Sequence, residues 1–136
     1  MDINKLIDEA RKASENAYVP YSNFKVGASL LLKNGTIFTG CNIENASYGL
    51  TNCAERTCLF KAYSEGVKKE DIVAFVVFSP KEHLVSPCGA CRQVMSELLL
   101  NDIPVYMAYG SKYDYIETTV KDLLPYGFVK EDMENE

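Results

Sequence analysis

Two short segments constrain the fold of this chain more than any others: Cys53-Ala54-Glu55 and Pro87-Cys88-Gly89-Ala90-Cys91. Each opens a stretch patterned as a helix, about 54–65 and about 89–100. Residues three apart in a first helical turn share a face, so Cys88 and Cys91 can reach one ion together. Helix N-termini carry free N–H groups and a partial positive charge, which favour the thiolate form that binds metal. A fold that uses all three sulfurs must therefore bring two helix starts to one point. Three thiolates fill three positions of a tetrahedral zinc ion and leave the fourth for water, as in catalytic sites. A structural site closes that position with a further ligand. The candidates for closing it are Cys41 and Cys58. Cys58 lies five residues beyond Cys53, about 500° around a helix axis and away from the helix mouth. Cys41 ends a strand and can lie nearer. For both, the competing assignment is a buried free cysteine acting as a small hydrophobe.

The remaining pattern supplies strands for these helices to pack on. Residues 2–18 carry Ile3, Leu6, Ile7, Ala10 and Ala17 at helical spacing, with Pro20 as the stop. Residues 25–32 and 36–41 flank Asn34-Gly35, a pair tolerant of positive φ and a strong hairpin signal. Ile72 to Phe78 is a continuous apolar run that reads as a buried strand. Ile103 to Tyr109 and Tyr113 to Thr118 read as two more strands, and Val120 to Leu124 as a short last helix. Strand–helix–strand units imply parallel neighbours with helices packed on the sheet. Gly110-Ser111-Lys112 is too short for a crossover, so the last two strands should pair antiparallel.

The 136 residues are 47% hydrophobic, enough for one domain with one core, 1–136. The acidic end, about 129–136, is expected to fray. No apolar run reaches membrane-spanning length. Met1-Asp2-Ile3-Asn4-Lys5 lacks the features of an export signal. Five cysteines without such a signal argue against a disulfide framework and for a reducing cytoplasm. The net charge of −5 and the scattered basic residues disfavour a polynucleotide partner and fit a small neutral substrate.

Glu55 stands two residues from Cys53. A carboxylate there can take a proton from a metal-bound water and pass it to a leaving amine. Alone, it would read as a surface glutamate favoured by the helix dipole. Cys-x-Glu combined with Pro-Cys-x-x-Cys is the signature of zinc deaminases, with the glutamate as general acid and base.

Further segments extend the match: Pro20-Tyr21-Ser22-Asn23-Phe24-Lys25-Val26-Gly27-Ala28, Gly40-Cys41-Asn42-Ile43-Glu44-Asn45-Ala46, Cys53-Ala54-Glu55-Arg56-Thr57, Ser86 to Gln93, and Leu123-Leu124-Pro125 with Phe128. With them the chain resembles the small cytidine deaminases that have an all-cysteine zinc site. The resemblance implies an α/β three-layer sandwich, a five-stranded mixed sheet with helices on both faces. It implies one Zn²⁺ per chain held by Cys53, Cys88 and Cys91, and hydrolysis of cytidine and deoxycytidine to the uridine products and ammonia in pyrimidine salvage. A zinc-activated water attacks C4, with Glu55 as the proton shuttle. Phe24 would stack on the pyrimidine, Asn42 and Glu44 would read the ribose hydroxyls, and Ala54 with Glu55 the base edge. Tyr21 would line the mouth. Tyr48 and Phe128 resemble residues that close the pocket from a neighbouring subunit, which implies an obligate homo-oligomer, a homotetramer. Arg56 would withdraw charge from the thiolates, and Arg92 is a candidate for sharing that task. His83 is left as a loop residue. Three rival assignments are deamination of another cytosine nucleoside such as an antibiotic, polynucleotide editing, and a non-catalytic structural zinc module.

Overall fold

A computed structural model describes residues 1–134. The elements in chain order are α1 (Ile3–Ser14), β1 (Gly27–Leu32), β2 (Ile37–Cys41), α2 (Ala54–Ser64), β3 (Ile72–Ser79), α3 (Gly89–Leu98), β4 (Val105–Tyr109), β5 (Asp114–Thr118), α4 (Val120–Leu123) and α5 (Lys130–Glu134). Single 3-10 turns at Tyr48–Leu50 and Lys69–Asp71 precede α2 and β3.

The five strands form one mixed sheet in the order β2-β1-β3-β4-β5. β1 is antiparallel to both β2 and β3. β3 and β4 run parallel through α3, as a crossover of that length requires. β5 returns antiparallel to β4. Side chains alternate across β3 and serve two cores. Ala74, Val76 and Phe78 meet Leu6, Ile7 and Ala10 of α1. Phe75 and Val77 belong with Cys58 and Leu59 of α2 and Met95 of α3. The expected sandwich, with helices on both faces of a five-stranded mixed sheet, is the fold found.

Two close approaches fix the layers. A Cβ on Gly27 would stand 1.8 Å from the Ala10 carbonyl oxygen, so α1 lies directly on β1. A Cβ on Gly40 would stand 2.5 Å from the Cys58 amide nitrogen, so α2 lies directly on β2. Gly40 pairs with Ala28 across the β1–β2 ladder, and the two small residues make the shallow floor under α2.

Some boundaries differ from the sequence pattern. The first helix ends at Ser14, although Ala17 continues the apolar spacing. The chain is drawn away by a bridge to the segment after β2: the Tyr18 N–H donates to the Asn42 carbonyl (3.0 Å), and the Glu44 N–H to the Tyr18 carbonyl (2.8 Å). The hairpin forms, but only Gly35 has positive φ, +91°. Its loop is three residues, closed by the Gly35 N–H on the Leu32 carbonyl and the Leu32 N–H on the Thr36 carbonyl (2.9 Å each). The acidic end expected to fray is helical over Lys130–Glu134, where the Asp132 carboxylate accepts from the Val129 N–H (2.9 Å). The rest of that expectation, Asn135 and Glu136, lies outside the described residues.

Candidate active site

Cys53 and Cys88 occupy the N-cap positions of α2 and α3, both in extended backbone. Neither side chain caps its own helix, so both sulfurs are free to turn toward each other. Their Sγ atoms are 3.9 Å apart, and those of Cys53, Cys88 and Cys91 all lie within 4.8 Å of one another. Tetrahedral zinc with Zn–S bonds of about 2.3 Å would hold its sulfurs about 3.8 Å apart. The set therefore fits zinc in number, chemistry and spacing. No other group of three potential ligands occurs among the described residues.

Cys41 and Cys58 do not join this set. Cys58 is fully buried inside α2, contacts the Phe38 carbonyl at 3.4 Å, and its thiol is pushed well above the ordinary value by burial. Cys41 is partly buried, with its thiol also raised by burial. Both behave as small apolar side chains.

Electrostatics around the sulfurs favour a shared thiolate. Cys53 is held well below the usual thiol range, first by the hydrogen bond from Cys91 and then by Arg56. Cys91, on the donating side and buried, is pushed up. The Arg56 Nη2 donates to the Cys53 Sγ at 3.3 Å, the contact expected of a group that draws charge from the sulfurs. Arg92 is used otherwise. It donates to the carbonyls of Pro87 (2.8 Å) and Leu123 (2.9 Å) and to the Ser86 Oγ (2.9 Å), bracing the loop that delivers Cys88.

Glu55 is 4% exposed, against the surface position that its place in a first helical turn would suggest. Burial pushes its carboxyl up to about 7, and the negative charge of Cys53 adds to the shift. Such a group can exchange protons near neutrality.

Cys53, Ala54, Glu55 and Cys88 open onto a cavity of about 280 Å³, whose other walls include Phe24, Asn42, Glu44 and Tyr48. Lys81 places its ammonium 5.5 Å from the centre of the Phe24 ring. Tyr48 lines the mouth from within the same chain and is 72% exposed. Phe128, 57% exposed, does not line this cavity. Tyr21 is not among the residues lining this cavity, and its backbone N–H donates to the Glu44 Oε1 (3.1 Å). His83 is an exposed loop residue.

Asn42 and Glu44 are both buried and heavily engaged. The Asn42 Oδ1 accepts from the Val26 N–H (2.9 Å), and its Nδ2 donates to the Phe24 carbonyl (2.8 Å). Glu44 accepts from the N–H groups of Tyr21 and Ser22 and from the Ser22 hydroxyl. The Ser22 hydroxyl is the largest cause holding the Glu44 carboxyl below its ordinary value. The sequence pattern included Ser22 in a matching segment but gave it no role. Thr51, Ser79 and Val85 also line the cavity without a signal in the sequence.

Residues 1–107 match the family described as the cytidine and deoxycytidylate deaminase zinc-binding region. The chain is 58% identical over 133 residues to a cytidine deaminase of Halalkalibacterium halodurans, with 98% of each chain covered. It is 56% identical over 133 residues to one from Sporosarcina psychrophila, covering 98% of this chain and 96% of that one. The crystal structure of a cytidine deaminase from Burkholderia pseudomallei aligns with a TM-score of 0.89 at 48% identity, over 94% of this chain and 100% of that one.

Proposed function

The chain belongs to the cytidine and deoxycytidylate deaminase family, and from that premise we infer that it hydrolyses cytidine and deoxycytidine to uridine and deoxyuridine, releasing ammonia, in pyrimidine salvage. The observation that carries this reading is the buried Glu55 beside three converging cysteines at the floor of a cavity. The enzyme is zinc-dependent, and Cys53, Cys88 and Cys91 would hold the ion. Bound there, zinc supplies the Lewis acidity that makes water a nucleophile at neutral pH. Glu55 moves the protons. Its carboxylate takes one from the attacking water and passes it to the ring nitrogen; after attack at C4 it takes the proton of the new C4 hydroxyl and passes it to the leaving amine. The water oxygen replaces the amine nitrogen at C4, so cytidine and water balance uridine and ammonia. Phe24 stacks on the base, the backbone of Ala54 reads its edge, and Asn42 and Glu44 meet the ribose. Arg56 offsets the negative charge of the thiolates.

The rival assignments are less well supported. A structural zinc module needs a fourth ligand, which the described cysteines do not offer, and leaves a buried carboxyl without a task. An antibiotic substrate has nothing here to favour it over the ordinary nucleoside.

Residues 1–136 act as one domain in this reading. Exposed Tyr48, Leu50, Tyr126 and Phe128 support a homo-oligomer, proposed as a tetramer, in which a neighbour's Phe128 reaches the cavity. The free cysteines support a cytoplasmic location. No helix of the described residues is long and apolar enough to cross a membrane.

The test is the fall in cytidine absorbance with purified protein, run beside Glu55→Gln. Conversion by the wild type, lost in the variant with zinc retained, is expected. A Glu55→Gln protein that still turns over at the wild-type rate would remove Glu55 from the chemistry.

A further inference from the structure

The two residues assigned to the sugar leave few free bonding positions for it. Each carboxylate oxygen accepts about two hydrogen bonds. The Glu44 Oε1 is filled by the N–H groups of Tyr21 and Ser22, at 3.1 Å each. The Oε2 already accepts the Ser22 hydroxyl, which leaves it one position. Asn42 keeps one N–H after donating to the Phe24 carbonyl. Both side chains spend most of their capacity on the segment 21–26, which carries Phe24 into the cavity.

Ser22 is the joint in this arrangement. Its hydroxyl donates to the Glu44 Oε2 and accepts from the Phe24 N–H at 3.0 Å. Between the two residues the chain turns through Asn23 at φ +57°, a left-handed conformation that asparagine tolerates better than most residues. One hydroxyl therefore connects the carboxylate facing the sugar with the backbone of the ring facing the base.

We propose that Ser22 is a positioning residue that couples recognition of the ribose at Glu44 to placement of Phe24 against the pyrimidine, so that the site reads the nucleoside as one unit. The inference rests on the assignment of Glu44 and Phe24 to sugar and base. A ribose hydroxyl donating to the last position on Oε2 fixes the carboxylate. The fixed carboxylate holds the Ser22 hydroxyl, and that hydroxyl holds the Phe24 N–H. Ser22 lines the cavity, but the one proton of its hydroxyl is spent on Glu44, so its effect falls on binding rather than on chemistry.

The experiment compares steady-state cytidine kinetics of the wild type, Ser22→Ala, Ser22→Thr, Glu44→Gln and the Ser22→Ala/Glu44→Gln double variant, all zinc-loaded. Ser22→Ala should raise KM about tenfold, the scale of one hydrogen bond to a charged group, with kcat within about threefold. Ser22→Thr, which keeps the hydroxyl, should recover most of the loss. In the Glu44→Gln background the same Ser22→Ala change should cost less than about threefold, because coupled groups are non-additive. Exchange of the Phe24 amide proton, followed by NMR, should speed up in Ser22→Ala. An unchanged KM, equal losses in both backgrounds, or no rescue by threonine would overturn the proposal. A wild type inert on cytidine would sink the functional reading instead, and the Phe24 amide would still report whether the relay exists.

Discussion

Gly40→Ala should damage the active site from the far side of a helix. The added methyl would stand 2.5 Å from the Cys58 nitrogen, 2.8 Å from the Cys58 Cα and 3.0 Å from the Ala54 carbonyl oxygen. All three are backbone atoms of α2, so no rotamer change relieves the overlap. Ordinary contact needs about 3.5 Å or more, so α2 must retreat by roughly 1 Å. Overpacking of this kind costs about 2 kcal/mol. For a chain of this length that lowers the Tm by about 7 °C. The larger effect is on the first turn of α2, which carries Cys53 and Glu55, while Cys88 and Cys91 stay with α3. A misplacement of about 1 Å can cost roughly a hundredfold in rate. Thermal unfolding and kcat on cytidine would be measured beside the wild type. A Gly40→Ala protein with the wild-type Tm would show that α2 does not rest on β2 there. A lowered Tm with intact kcat would show that the site does not depend on that seating.

Three further outcomes follow from the geometry. Arg56→Gln removes the donor on the Cys53 sulfur and should weaken zinc retention or lower activity by roughly 10- to 100-fold, read by competition with a chelator; retention equal to wild type would deny Arg56 that role. Glu44 has its folded pKa below the ordinary 4.5. Its contribution to stability is therefore complete above about pH 4.5 and is lost as pH falls through the folded value. The acid limb of Tm against pH should be shallower in Glu44→Gln, and superimposable limbs would contradict this. Cys41→Ser should keep one zinc per chain while Cys91→Ser loses it, measured by metal analysis; loss of zinc from Cys41→Ser would reinstate Cys41 as a ligand.

Much of the architecture could be read from local pattern, because the pattern and the packing agree there. The run from Ile72 to Phe78 is apolar on both faces because β3 is covered on both faces. The link after Tyr109 was too short for anything but an antiparallel return, and β5 makes one. Ala17 fits the spacing of the first helix although the helix ends at Ser14, because the bridge that captures Tyr18 depends on residues far along the chain. The antiparallel pairing of β1 with β3 has no local signal at all. In the site, the three cysteines were legible because their spacing and helix-start positions are local facts. The depth of Glu55 was not, since burial is decided by what packs over a residue. The engagement of Asn42 and Glu44 with the backbone around Phe24, and of Arg92 with carbonyls, was hidden for the same reason.

The position of the three sulfurs also orders events as the chain folds. Cys88 and Cys91 share one helical turn and can meet as soon as α3 starts. Cys53 sits on α2, which rests on β1 and β2 and packs directly against α3. Non-local pairing of this kind is slow compared with helix formation. A newly made chain therefore has two sulfurs together well before it has three. Full zinc affinity arrives only when α2 has docked on α3, so uptake of the ion reports that long-range contact.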